Sequence, residues 1–106
     1  MRIALDAMGS DNAPGPEVRG AVEASLQDGT EYVLVGDQER LEQALARYKR
    51  RGRVSIVHAS ETIRMDDQPV QAVRQKKDSS LLVALRLVKS GEADACVSAG
   101  NTGAVM

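Results

Sequence analysis

Four short apolar stretches divide the chain. They cover residues 3–5, 32–35, 54–57 and 95–97. Each is continuous or nearly so, rather than strictly alternating between apolar and polar positions. That pattern is typical of strands that are buried on both faces, as in a parallel sheet. The chain is therefore predicted to contain four buried β-strands.

Apolar residues recur at helical spacing between these strands. One stripe consists of Val18, Ala21, Val22 and Leu26, and a second consists of Leu41, Ala44, Leu45 and Tyr48. A third region is apolar over a wider arc, which predicts deeper burial; it consists of Leu81, Leu82, Leu85 and Val88. Asp66, Asp67 and Pro69 are typical of a helix start, and they predict a short helix that precedes this region and runs to about Gln75.

Residues at the predicted helix ends agree with these assignments. Gly29, Gly52 and Gly91 each follow a helical stretch and are expected to be left-handed C-terminal caps. Asp37 and Glu39 fall at the start of the second helix, and the cations at 49–51 are expected in its last turn. Residues 78–80, Asp-Ser-Ser, are expected to cap the third major helix, so Ser79 and Ser80 are interpreted as caps rather than ligands.

The order of elements, β-α-β-α-β-α-α-β, predicts a doubly wound parallel sheet with helices on both faces, a three-layer α/β/α fold. Its expected strand order is 3-2-1-4. Ligands bind such sheets beyond the carboxyl ends of the strands, where the strand order reverses. The loops at residues 6–14 and 98–103, which leave the first and fourth strands, are therefore expected to form the binding crevice.

The residues of these two loops suit an anion. Glycines let the backbone approach a ligand and turn its N–H groups inward, and amide and hydroxyl side chains add neutral donors. The candidates are Gly9, Ser98, Gly100, Asn101, Thr102 and Gly103. Ordinary strand-to-helix turns capped by Asn101 or Thr102 remain the alternative. The chain has neither a G-x-x-x-x-G-K-[ST] motif nor a G-x-G-x-x-G motif after its first strand, which argues against P-loop and dinucleotide sites.

Composition narrows the function classes further. The chain has 106 residues and a net charge of −1 with interspersed signs, so nucleic-acid binding is not expected. Cys96 is the only cysteine, which excludes an internal disulfide and a cysteine-based zinc site. An acid at position 6 and short apolar runs argue against a signal peptide or a membrane span. We expect a soluble, cytoplasmic protein, and the ending at residues 103–106 suggests a fragment of a longer chain.

Four motifs resemble those of the PlsX phosphate acyltransferases, and they occur in the same order. The first, D-A-M-G-S-D-N-A-P at residues 6–14, resembles the family opening D-A-M-G-G-D. The second combines V-H-A-S-E at residues 57–61 with M-D-D-Q-P at 65–69. The third is R-Q-K-K-D-S-S at 74–80, and the fourth is V-S-A-G-N-T-G-A at 97–104. Ser10 departs from the family glycine and would be strained by about 1–2 kcal/mol if that position needs a positive φ.

The resemblance implies an acyltransferase of which residues 1–106 are the amino-terminal α/β portion, about a third of the usual length. It implies a fold akin to isocitrate dehydrogenase and phosphotransacetylase, and a homodimer that moves an acyl group from acyl-acyl carrier protein to inorganic phosphate. The acyl phosphate product would serve phospholipid synthesis. No cofactor or metal is needed, because phosphate is a competent nucleophile and a thioester is already activated. Peripheral membrane contact through residues beyond 106 is compatible with this role.

On this basis we expect two groups of site residues. The catalytic group is Asn101, Asp11 and Asn12; the substrate- and phosphate-binding group is Gly9, Ser98, Gly100, Thr102, Gly103, Arg74 and Lys77. Arg74, Lys76 and Lys77 have the alternative of being solvated helix charges.

Single residues outside these loops have competing interpretations. His58 could be a general base, but it lies two strands from the crevice. Cys96 is expected to be an inert, buried thiol. Asp6 could orient backbone donors or a basic residue.

Two other functions compete with the first. One is a phosphotransacetylase-like enzyme acting on short acyl-coenzyme A. Only the motif resemblance separates it from an acyltransferase that uses acyl-acyl carrier protein. The other is a non-catalytic phosphate-binding module such as a signalling receiver. A receiver needs an Asp at the end of its third strand, where this chain has His58.

Overall fold

A computed structural model describes residues 1–8, 13–60 and 78–98. The elements follow the order β1 Arg2–Asp6, α1 Gly15–Asp28, β2 Glu31–Gly36, α2 Gln38–Leu45, β3 Val54–His58, α3 Ser80–Lys89 and β4 Ala95–Ser98. All four predicted strands and the three major helices are confirmed. The short helix predicted before α3 lies outside the described residues.

The four strands form one sheet in the order β3-β2-β1-β4, and every neighbouring pair is parallel. This is the predicted 3-2-1-4 order. The strand order reverses between β1 and β4, which run side by side with Asp6 opposite Ser98. The carboxyl ends of these two strands therefore meet at one edge of the sheet.

Helices cover both faces of the sheet, so the three-layer α/β/α architecture is confirmed. Side chains of α1 and α2 pack on one face, around Leu34 of β2. Side chains of α3 pack on the other face, around Ala4 of β1 and Val33 and Val35 of β2. Because side chains alternate along a strand, Asp6 shares with Ala4 the face that α3 covers.

The buried face of α1 differs from its predicted stripe by one position. Val18, Ala21 and Val22 are buried as predicted, but Leu26 is 45% exposed and Ser25 takes the buried place. The hydroxyl of Ser25 accepts a hydrogen bond of 2.7 Å from the backbone N–H of Arg53. The prediction for Leu26 is wrong because this contact with the segment before β3 selects the serine.

The second helix is shorter than predicted. Asp37 caps it as expected, its carboxylate accepting from the N–H of Arg40 at 3.2 Å. However, α2 ends at Leu45, and a turn follows in which the N–H of Tyr48 donates to the Leu45 carbonyl at 3.0 Å. The cations at 49–51 are therefore not in its last turn. Gly52 has a φ of +65°, but it lies in the approach to β3 and does not cap a helix.

The other two predicted glycine caps are confirmed. Gly29 ends α1 in the left-handed region, with φ +76°, and its N–H bonds to the Ser25 carbonyl. After α3, the N–H groups of Gly91 and Glu92 bond to the carbonyls of Val88 and Leu87. That pair of bonds is a Schellman motif. Within the described ranges, no helix is long and apolar enough to cross a membrane.

Candidate functional site

A buried carboxylate lies at the carboxyl end of β1, next to the point where the strand order reverses. Asp6 is 1% exposed. Its Oδ1 accepts hydrogen bonds from the hydroxyl of Ser80 at 2.5 Å and from the backbone N–H of Met8 at 3.2 Å. Its Oδ2 accepts from the hydroxyl of Ser98 at 2.8 Å. One side chain thus joins the ends of β1 and β4 to the start of α3.

The fold explains why these donors converge. The register places Ser98 directly opposite Asp6 on the neighbouring strand. Helix α3 begins with Ser80 against the same face of β1, so the positive end of its dipole favours a carboxylate there. Charge-assisted O–H···O⁻ bonds are short, typically about 2.5–2.7 Å, and are stronger than neutral ones. A carboxylate this deeply buried needs such donors, because burying an unpaired charge is costly.

Each of these hydrogen bonds has a consequence for chemistry. Both carboxylate oxygens of Asp6 already accept hydrogen bonds from donors of the protein. The hydroxyl of Ser98 donates to Asp6. Met8 leads into residues 9–12 and Ser98 leads into residues 99–103. The carboxylate therefore anchors the starts of the two predicted binding loops.

Ser98 is the only predicted site residue that falls within the described residues, and it lies at the predicted edge of the sheet. Its role in binding phosphate stays a prediction. The others lie outside the described residues: Gly9, Asp11, Asn12, Arg74, Lys77, Gly100, Asn101, Thr102 and Gly103.

His58 ends β3 at the carboxyl edge, as predicted. Its Nδ1 accepts a hydrogen bond of 3.2 Å from the backbone N–H of Gln38, the first residue of α2. The imidazole thereby satisfies one of the unpaired N–H groups that every helix start leaves. A neutral imidazole that accepts at Nδ1 carries its proton on Nε2. The Nδ1 atom of His58 is therefore already used in a hydrogen bond that stabilises the fold. A role for His58 as a general base stays a prediction.

A second carboxylate joins two segments near this edge. Asp78 Oδ2 accepts hydrogen bonds from the backbone N–H of Ser60 at 2.9 Å and from the Ser60 hydroxyl at 2.5 Å. These bonds hold the pKa of the exposed Asp78 carboxyl below its ordinary value. The segment that contains Arg74 and Lys77 therefore begins and ends at residues that are bonded to each other.

The thiol of Cys96 is not an activated nucleophile. It lies in β4, partly buried against the α3 face of the sheet. Burial raises the pKa of the Cys96 thiol above its usual value, and the nearby negative charge of Asp6 adds to this effect. The sequence predicts a buried thiol, and the side chain is partly buried. Since the thiolate is the reactive form, this environment makes Cys96 slow to react.

A separate groove of about 560 Å³ lies between α1 and the end of α2. It is lined by residues that include Pro16, Arg19, Ala44, Arg47 and Tyr48. None of the residues around Asp6 contributes to its walls. Its basic side chains, Arg19 and Arg47, are exposed. The groove does not lie where strand ends and buried hydrogen-bond donors meet, as the site around Asp6 does.

Sequence reasoning missed the link between Ser80 and Asp6. Ser79 is the N-cap of α3, accepting from the N–H of Leu82 at 3.3 Å, as the sequence predicts. Ser80 was expected to be a cap as well, but its side chain crosses to β1 instead. The two residues are 74 positions apart along the chain. No local pattern marks such a pair; only the topology that places α3 over β1 brings it together.

Comparison with known proteins agrees with the motifs. A family model described as "Fatty acid synthesis protein" matches residues 1–106. A phosphate acyltransferase of Desulfitobacterium hafniense (strain DSM 10664 / DCB-2) is 55% identical over 106 residues, which are 100% of this chain and 32% of that protein. The phosphate acyltransferase of Geobacter sulfurreducens is 56% identical over 107 residues, and that of Clostridioides difficile is 49% identical over 107 residues.

These two alignments also cover 100% of this chain, with 31% of the Geobacter protein and 32% of the Clostridioides protein. The chain therefore spans about a third of the length of the curated relatives it matches. Because the family model covers every residue, the chain belongs to the fatty acid synthesis protein family.

Proposed function

We propose that this chain is the amino-terminal portion of an enzyme that transfers a fatty acyl group from acyl-acyl carrier protein to inorganic phosphate. The observation that carries the proposal is the match over every residue of this chain, at about half identity, to proteins named phosphate acyltransferase. The geometry supports it, because the loops leaving β1 and β4 start from one buried carboxylate at the reversal of strand order. Open α/β sheets bind ligands at this place.

The reaction requires little chemistry from side chains. An oxygen of hydrogen phosphate attacks the thioester carbonyl carbon and forms a tetrahedral oxyanion. The carbon–sulfur bond then breaks, the acyl phosphate is released, and the phosphate's proton ends on the carrier thiol. Catalysis rests on aligning the two substrates and on stabilising the oxyanion with fixed donors.

The proposed roles follow from the residue types in the two loops. Asn101, with Asp11 and Asn12 opposite, would align phosphate and thioester and stabilise the oxyanion. Backbone N–H groups at Gly9, Gly100 and Gly103 would hold phosphate oxygens, together with the Thr102 hydroxyl. Arg74 and Lys77 would neutralise phosphate charge or contact the carrier protein. Replacing Asn101 with Ala should lower turnover sharply and leave the circular dichroism spectrum unchanged.

The choice of thioester is tested by substrate comparison. Acyl-acyl carrier protein and acyl-coenzyme A with the same acyl chain are offered to the complete protein at saturating phosphate, and kcat/KM is measured for each. The proposal predicts a higher kcat/KM for the carrier-protein substrate. A clear preference for short acyl-coenzyme A would instead favour a phosphotransacetylase-like enzyme. The accompanying proposal of a homodimer is tested by sedimentation velocity on the complete protein.

A further inference from the structure

We propose that Asp6 is a positioning residue for acyl transfer: through Ser98 and the Met8 amide, it fixes the starts of the loops leaving β4 and β1 relative to each other. This inference rests on the function proposed above. Asp6 itself is buried and contacts neither substrate. Its effect on the reaction passes through the two loops.

The hydrogen bonds of Asp6 reach the starts of both loops. The two carboxylate oxygens divide their donors between the two strand ends. Oδ1 holds Met8, which leads into the first loop, and Oδ2 holds Ser98, which leads into the second. A rigid carboxylate group therefore sets the distance between the loop starts. The third donor, Ser80 at 2.5 Å, fixes the carboxylate itself to α3.

The layer of side chains around Asp6 does not need a charge. The rest of this side of the sheet is built from small apolar residues, including Ala4, Val33, Val35 and Ala84. An apolar residue at position 6 would continue that packing without the desolvation cost of a buried carboxylate. A buried ionised group is also acceptor-only, so it orients both serine hydroxyls in one way. The arrangement gives a fixed geometry at the crevice rather than the greatest stability.

The hydroxyl of Ser98 is engaged by Asp6. A hydroxyl has one proton, and Ser98 donates it to Asp6 at 2.8 Å. Ser98 therefore acts in the site by holding the start of its loop, and the donors for phosphate come from elsewhere. The two substitutions at this position should therefore differ in effect. Ser98→Ala loses the hydrogen bond to Asp6, which is the tether between β4 and β1, whereas Ser98→Thr keeps the hydroxyl and suits a β-strand.

The experiment measures kcat and KM for phosphate in the complete protein with four variants. Ser98→Ala and Asp6→Asn break the tether, and Ser98→Thr restores the donor. Ser79→Ala is the control, because Ser79 is a buried serine whose hydroxyl caps α3 by accepting from the Leu82 N–H. Thermal midpoints are recorded for all four.

The proposal predicts that Ser98→Ala lowers kcat by about tenfold or more, since small misplacements of reacting groups can cost up to about a hundredfold. Ser98→Thr should stay within about threefold of the wild type on the same scale. Ser79→Ala should lower the thermal midpoint but leave kcat unchanged. If Ser98→Ala folds and turns over like the wild type, the proposal is overturned. If Asp6→Asn does not fold, the Ser98 pair still decides.

A second readout does not depend on the reaction. Hydrogen exchange at the Met8 amide should accelerate in Ser98→Ala and Asp6→Asn relative to Ser79→Ala, because the carboxylate that accepts from this amide loses its fixed position. Unchanged exchange in both variants would overturn the positioning role. If the wild-type protein made no acyl phosphate, the proposed function would fail, and this readout would still decide whether Asp6 positions the loops.

Discussion

A close backbone approach beside the candidate site makes a sharp prediction about Gly36. This residue ends β2, and a Cβ atom added to it would lie 2.3 Å from Cγ and 2.9 Å from Sδ of Met8. The backbone of Gly36 is not in the left-handed region, so alanine brings no conformational strain there. Gly36→Ala is therefore a test of packing alone, and we expect it to displace the Met8 side chain.

The magnitude follows from the distances. Ordinary van der Waals contact begins at 3.4 Å, so Cγ of Met8 must retreat by more than an ångström. Inserting an extra carbon into a packed core costs about 1–3 kcal/mol of unfolding free energy. The flexible thioether can absorb part of this, but Cγ lies close to the backbone and can move little. The Met8 amide also bonds to Asp6, so the displacement should reduce turnover as well as stability.

A double-mutant cycle isolates this contact. Gly36→Ala, Met8→Ala and the double variant are compared by urea unfolding of the complete protein, followed by circular dichroism. Met8→Ala removes both atoms that the new methyl group would strike, so the double variant should be more stable than the sum of the single effects by about 1 kcal/mol or more. Gly20→Ala is the control. It lies in α1 with nothing within 4 Å of its added Cβ, and should stabilise by up to about 1 kcal/mol.

Two outcomes would refute this reasoning. Gly36→Ala with wild-type stability would show that the Met8 side chain does not occupy the space above Gly36. Strictly additive effects in the cycle would show that the cost arises elsewhere.

Two further predictions concern the frame of the site. Gly52→Ala should cost more stability than Gly91→Ala. Both glycines have a positive φ, which costs alanine about 1–2 kcal/mol. Of the two, only Gly52 would bring its new Cβ against another group, Ser25 Oγ at 2.6 Å. Equal urea midpoints for the two variants would contradict this prediction. Hydrogen bonds from Ser60 lower the pKa of Asp78 in the folded state. The ionised Asp78 carboxylate therefore stabilises the fold fully above its ordinary pKa of 3.8, and this stabilisation is lost as the pH falls through the lowered pKa of the folded state. The stability lost in Asp78→Asn should therefore be constant near neutral pH and shrink in strong acid, and a pH-independent loss would count against the Ser60 bonds.

The strands and their order could be predicted because they depend on a strong local signal. Residues 32–35 and 3–5 are continuously apolar, and a parallel sheet buried on both faces is the arrangement that accommodates such stretches. The helical connections between them then restrict the topology, because crossovers are right-handed. The same reasoning predicted the edge of the sheet at which the candidate site lies, because β1 and β4 are neighbours where the strand order reverses.

The remaining features depend on contacts between distant parts of the chain. The buried face of α1 turns toward Ser25 rather than Leu26 because the amide of Arg53 needs an acceptor there. The end of α2 at Leu45 and the donation from Ser80 to Asp6 likewise have no marker in the neighbouring residues. Periodicity identifies which side of a helix is apolar, but polar partners become visible only when the fold places them together. The likeness to isocitrate dehydrogenase and phosphotransacetylase stays a prediction.

The most direct test of the central claim follows labelled phosphate into the product. The complete protein is incubated with acyl-acyl carrier protein and ¹⁸O-phosphate, and the products are analysed by mass spectrometry. The account predicts an acyl phosphate that retains all the label of the phosphate, together with free carrier thiol, and no product when phosphate is omitted. Free fatty acid as the sole product, or no turnover of the thioester by folded protein, would contradict it.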